Sequence, residues 1–480
     1  MRIAFVEPSI ANVEPLGVAY LAQSLMNAGH EVRYLEAPRP NLVKRLKDFS
    51  PDVLAYSITT GKHRVCRELN SSLRKDINAV SLFGGPHATF SPEFIESDGL
   101  IDGVCLGEGE YAMVELMDRM ERGEDCSRTD NWWLRKDGAI CKNPVREKIA
   151  DIDTLPFPNR EVIYAENTAL RDSPIKRVIG SRGCPFNCSY CFNRQYNAAY
   201  QGKGKIYRQR SVSNIVREIN EIRRKYPLTF LKFAEDIFGL TMDFREFAEV
   251  YGKEAGIPFL CSLRPNLIDE EKIRWLKKAN CVAVVLAVES GNETIRNKIL
   301  NRRLSPAVLD NAITILKKEG IRIWTQNIIA NPGETFEMAM ETFNFNRRHR
   351  VEFAECFLLA PYPGTDIYEY CVKNNYFDGE IDMLKTSYWI DSSLRFDSKR
   401  EKRRLVNFHK FFSFGVQHPW ALLIIRLLIE LPPNKLFVLF NRLYDGWRIS
   451  RVIRADLSVK DFFGIARNNY RYIRSFILKN

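Results

Sequence analysis

Three cysteines stand in a C-x-x-x-C-x-x-C pattern, Cys184, Cys188 and Cys191, just after Gly183. Three thiolates are one short of a closed structural zinc site, which takes four ligands and usually two spaced pairs. No second pair lies nearby. An iron-sulfur cluster held by three cysteines keeps one iron without a protein ligand, and that open position is where a cofactor or substrate can bind the metal. The preceding run, Ile175 to Gly183, reads as a short buried strand entering a glycine-containing loop. The cysteines therefore follow the C-terminal end of a strand, the edge on which parallel α/β folds build their sites.

Strand-like runs precede this motif at residues 2–6, 31–35, 53–57, 80–83 and 103–106, separated by helical patterns such as 16–27 and 62–75. The alternation predicts a doubly wound parallel sheet whose ligand sits beyond the strand C-termini. The loops there carry Glu14-Pro15-Leu16-Gly17, Thr59-Thr60, Gly84-Gly85-Pro86-His87 and Gly107-Glu108-Gly109-Glu110, and glycines let a backbone approach a flat, bulky ligand. A hairpin is expected around Asp137-Gly138, and the proline-marked stretch 151–174 reads as a linker. From 175 to 375 six further units alternate, with strands expected at 176–181, 229–234, 258–263, 282–288, 322–329 and 355–359. Six units suggest a partial parallel barrel. Polar residues end its strands: Glu235-Asp236, Arg264, Glu289-Ser290 and Asn331 to Thr335. Carboxylates suit an ammonium, and small hydroxyls suit a ribose.

The cysteine spacing, with aromatic Tyr190 before the last cysteine, resembles the radical S-adenosylmethionine (SAM) enzymes. The ordered glycine loops resemble the cobalamin-binding domain that precedes the radical SAM domain in one branch of that family. The resemblance implies three parts: a Rossmann-like cobalamin-binding domain over 1–150, a partial (β/α)6 barrel over 175–375 and a helical region over 376–480. It implies a 4Fe-4S cluster on Cys184, Cys188 and Cys191, and SAM contacts from Tyr190, Glu235, Asp236, Arg264, Glu289 and Ser290. Cobalamin contacts would come from Glu14, Leu16, Gly17, Thr59, Thr60, Gly84, Gly85, His87, Gly107, Glu108 and Glu110. The Asp-x-His-x-x-Gly sequence that gives cobalt a histidine elsewhere is absent, so no histidine ligand is expected and His87 reads as a loop or phosphate-facing residue. The family pattern has aspartate at 235 and glycine at 287 and 330, where this chain has glutamate, alanine and alanine.

The implied activity is reductive cleavage of SAM and functionalisation of an unactivated carbon, most simply by methyl transfer from methylcobalamin, with a flavodoxin- or ferredoxin-type electron donor. Radical oxidation or cyclisation, and a non-catalytic iron-sulfur sensor, are the alternatives. Eleven cysteines without disulfide-framework spacing, and an amino terminus that reads as a strand, point to the cytoplasm. Residues 381–480 hold 19 Lys/Arg against 8 Asp/Glu, or +11 of the net +12. Basic residues interleave there with apolar ones around Trp420 to Leu431 and Trp447 to Arg454, a pattern that suits either packing on the barrel or peripheral contact with the inner face of a membrane. With membrane contact, a lipid-linked substrate would join small molecules as an expectation. No recognised module supports nucleic-acid binding.

Overall fold

The computed structural model describes residues 1–9, 11–37, 39–381, 384, 389–453, 467 and 470. Among the described residues up to Ile453, one compact unit is formed by Met1–Ser173 with Gln195–Lys205, and a second by Pro174–Arg194 with Ile206–Ile453.

In the first unit the strands are β1 (Arg2–Glu7), β2 (Glu31–Glu36), β3 (Val53–Ser57), β4 (Val80–Gly84), β5 (Gly103–Cys105), β6 (Trp132–Lys136) and β7 (Ala139–Lys142). They lie in the order β2-β1-β3-β4-β5-β6-β7. The pairings from β2 to β5 are parallel, and β6 and β7 add an antiparallel edge. Helices α1 (Leu16–Asn27), α2 (Leu42–Phe49), α3 (His63–Leu73), α4 (Pro86–Phe90) and α5 (Glu110–Glu121) make the crossovers. The inner strands are buried along their apolar runs, as strands covered on both faces must be. At the hairpin tip both Asp137 and Gly138 have positive φ, +50° and +80°, the two-residue turn that matches strand twist. The strand order reverses between β1 and β3, and in such sheets that crevice takes the ligand.

The stretch read as a linker folds as α6 (Arg160–Glu166) and α7 (Thr168–Asp172). Asn159 caps α6 through Val162 N, and Asn167 caps α7 through Leu170 N. Burial of Tyr164 and Leu170 ties both helices into the first unit. The helical register was hidden in sequence by their shortness.

The second unit is a sheet of six parallel strands in the order β8-β11-β12-β13-β14-β15, where β8 is Ile175–Val178, β11 Phe230–Phe233, β12 Phe259–Leu263, β13 Cys281–Glu289, β14 Arg322–Ile329 and β15 Phe353–Leu358. The first strand ends three residues sooner than the sequence predicts. Ser181–Arg182 instead forms a two-residue strand, β9, antiparallel to β10 (Arg208–Gln209). Arg210 draws the chain away: its backbone N donates to Gly180 O at 2.9 Å and its Nη1 to Ile179 O at 2.9 Å.

After the short helix α8 (Asn193–Ala199), the crossovers are α9 (Val212–Lys225), α10 (Phe244–Glu254), α11 (Glu270–Lys278), α12 (Pro306–Lys318) and α13 (Phe336–Arg348). The side chain of the preceding residue caps each of the five, in order Ser211, Asp243, Asp269, Ser305 and Thr335. Such caps fix where each loop returns to helix. Beyond the sheet come α14 (Asp366–Lys373), α15 (Lys399–Gln417), α16 (Leu422–Leu428) and α17 (Lys435–Ile453). Phe408 and Phe412 of α15 pack on Phe343 of α13. Among the described residues no helix is long and apolar enough to cross a membrane.

Candidate active site

All the polar residues expected at the strand ends of the second unit gather beyond the C-terminal edge of its sheet, but they do different things there. Glu235, just after β11, is 7% exposed, and neither carboxylate oxygen has a hydrogen-bond partner. Its Oε1 lies over Gly180, where a Cβ would sit 3.0 Å away, so glycine at 180 makes room for the carboxylate. Burial pushes this carboxyl up to about 8. A buried carboxylate without a partner is costly, and a cationic ligand offsets that cost. Asp236 beside it is open to solvent and accepts from Asn193 Nδ2 at 3.1 Å.

The cysteine loop runs through Cys184, Cys188 and Cys191, of which Cys188 is buried and the other two half-buried. Burial raises the thiol of Cys184 and pushes that of Cys191 up to about 12.

Behind the loop stands a guanidinium that no sequence motif announces. Arg302, 5% exposed, comes from the segment after β13 and places Nη1 3.2 Å from Cys188 Sγ and 3.4 Å from Tyr190 Oη, while Nη2 donates to Ala287 O at 2.6 Å. Burial opposes its charge, but Tyr190, Glu289 and Cys188 raise its affinity for the proton. It lies in a run of charged and polar residues, Asn301-Arg302-Arg303, indistinguishable in sequence from a solvated loop.

Arg264 also turns toward this loop: its Nη1 is 3.7 Å from Cys188 Sγ, its Nη2 donates to Arg302 O, and its guanidinium lies 4.0 Å from the Phe186 ring centroid. Tyr190 donates to Glu289 Oε1 at 2.8 Å, so the aromatic residue of the cysteine motif is tied to the end of β13. Burial raises the Glu289 carboxyl, with Arg302 and Tyr190 opposing the rise. Ser290 is fully buried, with Oγ 3.2 Å from Thr342 Oγ1 and accepting from Asn292 N at 3.2 Å. It organises the turn after β13.

The two alanines that replace glycine separate at this edge. Ala330 has φ +60°, the left-handed conformation that explains the family's glycine, whereas at 287 a register shift between Ala287 and Glu289 moves the positive φ, +66°, onto Glu289. Asn331 and Glu334 follow β14: Glu334 Oε2 accepts from Asn331 N and Nδ2, both at 2.9 Å, and burial pushes its carboxyl up to about 7. Missed in sequence as well is a polar strip on the sheet itself. Lys232 Nζ lies 5.3 Å from the Trp324 ring centroid, Glu355 Oε2 accepts from Trp324 Nε1 at 3.0 Å, and burial pushes Lys232 down to about 8.

In the first unit, Glu14 is anchored by Arg160 Nη1 at 2.9 Å and by the Tyr164 hydroxyl. Leu16 is buried at the start of α1, and a Cβ at Gly17 would meet nothing within 4 Å. Across the β1/β3 crevice Thr59 is exposed, and Thr60 Oγ1 is 3.1 Å from His87 Nδ1. His87 differs from expectation: it lies in α4, is 2% exposed and stacks on His63 with ring centroids 4.0 Å apart. It supports Thr60 from beneath.

Gly84 makes only an ordinary contact with Cys105, but Gly85 is at φ +95° and a Cβ there would come 2.8 Å from Ile58 O. Gly107, at φ +70°, is covered by the Tyr200 hydroxyl, which accepts from Glu108 N at 3.0 Å. Glu108 Oε2 accepts from Ile149 N at 3.0 Å, and Glu110 is 5% exposed. This fourth loop is held by its own protein contacts. In the loops after β1 and β3, by contrast, Gly17 has nothing within 4 Å of a Cβ and Thr59 is exposed.

A flavodoxin-ordered sheet with its switch point between β1 and β3, together with a parallel six-stranded sheet carrying a three-cysteine loop beside a buried carboxylate, defines an enzyme class that pairs B12 with radical SAM chemistry. Residues 8–117 match the family model described as B12 binding domain, and residues 178–345 match the Radical SAM superfamily. The chain thus joins a B12-binding domain to a radical SAM domain. It is 29% identical over 371 residues to an uncharacterized methyltransferase of Pyrococcus horikoshii, covering 75% of this chain and 79% of that one. To a cytidylyl-2-hydroxyethylphosphonate methyltransferase of Streptomyces wedmorensis it is 23% identical, covering 78% and 80%. An anaerobic magnesium-protoporphyrin IX monomethyl ester cyclase of Rubrivivax gelatinosus is 24% identical, covering 77% and 70%. The same fold occurs in the radical S-adenosylmethionine methyltransferase TsrM of Kitasatospora setae, with a TM-score of 0.63 at 17% identity and coverage of 77% and 76%.

Proposed function

We propose that the chain methylates an unactivated carbon of a small-molecule or lipid-linked substrate, drawing electrons from a flavodoxin- or ferredoxin-type donor. When bound, the cluster and SAM supply a reductively generated radical, and cobalamin supplies the methyl group. The observation that carries this reading is the unpartnered, buried carboxylate of Glu235 beside the cysteine loop. Cys184, Cys188 and Cys191 hold the cluster, and Glu235 receives the ammonium of SAM. Tyr190 and Glu289 brace the same edge from the other side, and Arg264 and Arg302 face Cys188. In the first unit Thr59, Gly85 and the segment from Glu14 to Gly17 border the corrin, with His87 holding Thr60. The protein acts in the cytoplasm, at the inner face of a membrane, where its C-terminal helices make peripheral contact.

Anaerobically reconstituted protein, given SAM, a reductant and cell extract, is expected to form S-adenosylhomocysteine and 5′-deoxyadenosine together. Deoxyadenosine without S-adenosylhomocysteine would instead support oxidation or cyclisation, the second reading, which the similar cyclase favours. Alanine at all three cysteines of the loop is expected to abolish iron binding and SAM cleavage, with the unfolding midpoint of the apoprotein retained.

A further inference from the structure

The helices α16 and α17 of the basic C-terminal region are covered on one side only. The inward faces pack as core: Ile425 and Ile429 are 1% exposed, and α17 lays Phe437 and Phe440 on Phe411 of α15 with centroids 4.8 and 5.5 Å apart. Outward, Leu423 and Leu427 of α16 are 75% and 73% exposed. On α17, Leu436, Leu439, Leu443 and Trp447 fall at helical spacing, with Leu436 at 74% and Leu443 at 66%. Trp420, at 66%, stands before α16. Exposed apolar stripes of this kind, on α16 and on α17, mark an interaction surface.

We propose that this face of α16 and α17 docks in the headgroup layer of an anionic lipid bilayer. The proposal deepens the peripheral contact suggested above and stands independently of the reaction. The charge around the face selects the occupant. Arg426, Lys435 and Arg451 are exposed on the two helices and beside them. Between 419 and 453 the acids are Glu430, which pairs with Arg400 at 2.9 Å and Arg404 at 3.4 Å, and Asp445, which is 7% exposed and accepts from Asn441. Among the described residues from 419 to 453 the exposed charges are therefore basic. In a two-fold dimer the same patch meets itself, so that basic residues of one copy face a patch with the same basic surplus on the other. Anionic headgroups complement that surplus, and leucines below with tryptophans and basic residues at the margin are the distribution of an interfacial helix. Neither helix can span, so the contact is one of lying on the surface. Arg454, which continues the basic pattern in sequence, lies outside the described residues.

The test is sedimentation of the full-length protein with phosphatidylcholine vesicles containing or lacking phosphatidylglycerol, at low and high salt. The protein is expected to bind the phosphatidylglycerol vesicles at low salt and to release as salt rises. Glutamine at Leu423, Leu427, Leu436 and Leu443 together is expected to weaken binding by more than about tenfold. Because all four side chains are exposed, iron content and unfolding midpoint should not change. Arg426→Gln with Lys435→Gln is expected to weaken binding only to the anionic vesicles, and it checks the proposal without touching the apolar face. No binding at low salt, or binding unaltered in both variants, would overturn the proposal. So would a dimer in sedimentation velocity that the leucine substitutions dissolve, with no vesicle binding. That result would assign the face to a second copy, and SAM cleavage, measured without vesicles, would be unaffected by either outcome.

Discussion

Arg302 and Glu235 are opposite uses of burial at one sheet edge. Arg302 holds a positive charge 3.2 Å from a thiol assigned to the cluster, and hydrogen bonds and charge beside cluster sulfurs set reduction potential. Replacing it by glutamine is therefore expected to lower the midpoint potential of the reconstituted cluster by on the order of 50 mV, with lysine restoring part of the shift. A redox titration followed by electron spin resonance reads this directly, and a merely structural arginine would leave the potential in place.

Burial pushes the Glu235 carboxyl up to about 8 in the folded chain against an ordinary value of 4.5, so between those pH values the folded state holds a proton that the unfolded state has lost. Its contribution is complete below about 4.5 and disappears as pH rises through about 8. Glu235→Gln removes that dependence. The unfolding midpoint of the apoprotein should fall less between pH 6 and about 8.5 in the variant than in the wild type. SAM binding, measured by calorimetry, should weaken by more than about tenfold for want of the carboxylate.

At the scale of elements, the capped crossovers of the second unit were readable because each begins with Ser, Asp or Thr and continues with apolar residues at helical spacing. The loop after β4 shows what a glycine in sequence does not distinguish. Gly84 has room for a side chain, whereas Gly85 combines positive φ with a carbonyl 2.8 Å from where a Cβ would sit. Gly85→Ala is accordingly expected to cost about 2 kcal/mol or more. A lowered thermal midpoint of the apoprotein would show it, and the same change at Gly17, where nothing lies within 4 Å, should be nearly silent. The early end of β8 has the same kind of cause: Arg210, more than thirty residues away, binds the backbone that pattern alone would leave in the sheet.

For the molecule as a whole, the histidines bear on the cobalamin it holds. His63 and His87 stack on one another below the loop, and His87 Nδ1 is engaged with Thr60. The cobalt is expected to lack a histidine ligand from this chain, so the Co(II) spectrum of the reconstituted protein should show no nitrogen hyperfine splitting. Splitting that disappears in His87→Ala would refute that expectation.

What the sequence by itself determined was the alternation of parallel strands and crossover helices in the two sheets, the hairpin at Asp137-Gly138 and the three-cysteine loop at a strand end, because periodicity, turn chemistry and spacing are local properties. The same is true of the surplus of positive charge after residue 380. Only the tertiary structure decided which polar residues do what. Glu235 is left without a partner and Ser290 is buried against Thr342, although both follow strands and look alike on paper. It also brought Arg302 to Cys188 across 114 residues and chose which leucines of α16 and α17 face outward. Burial and long-range contact are properties of packing, and a side chain's partner is set by what the rest of the chain places around it.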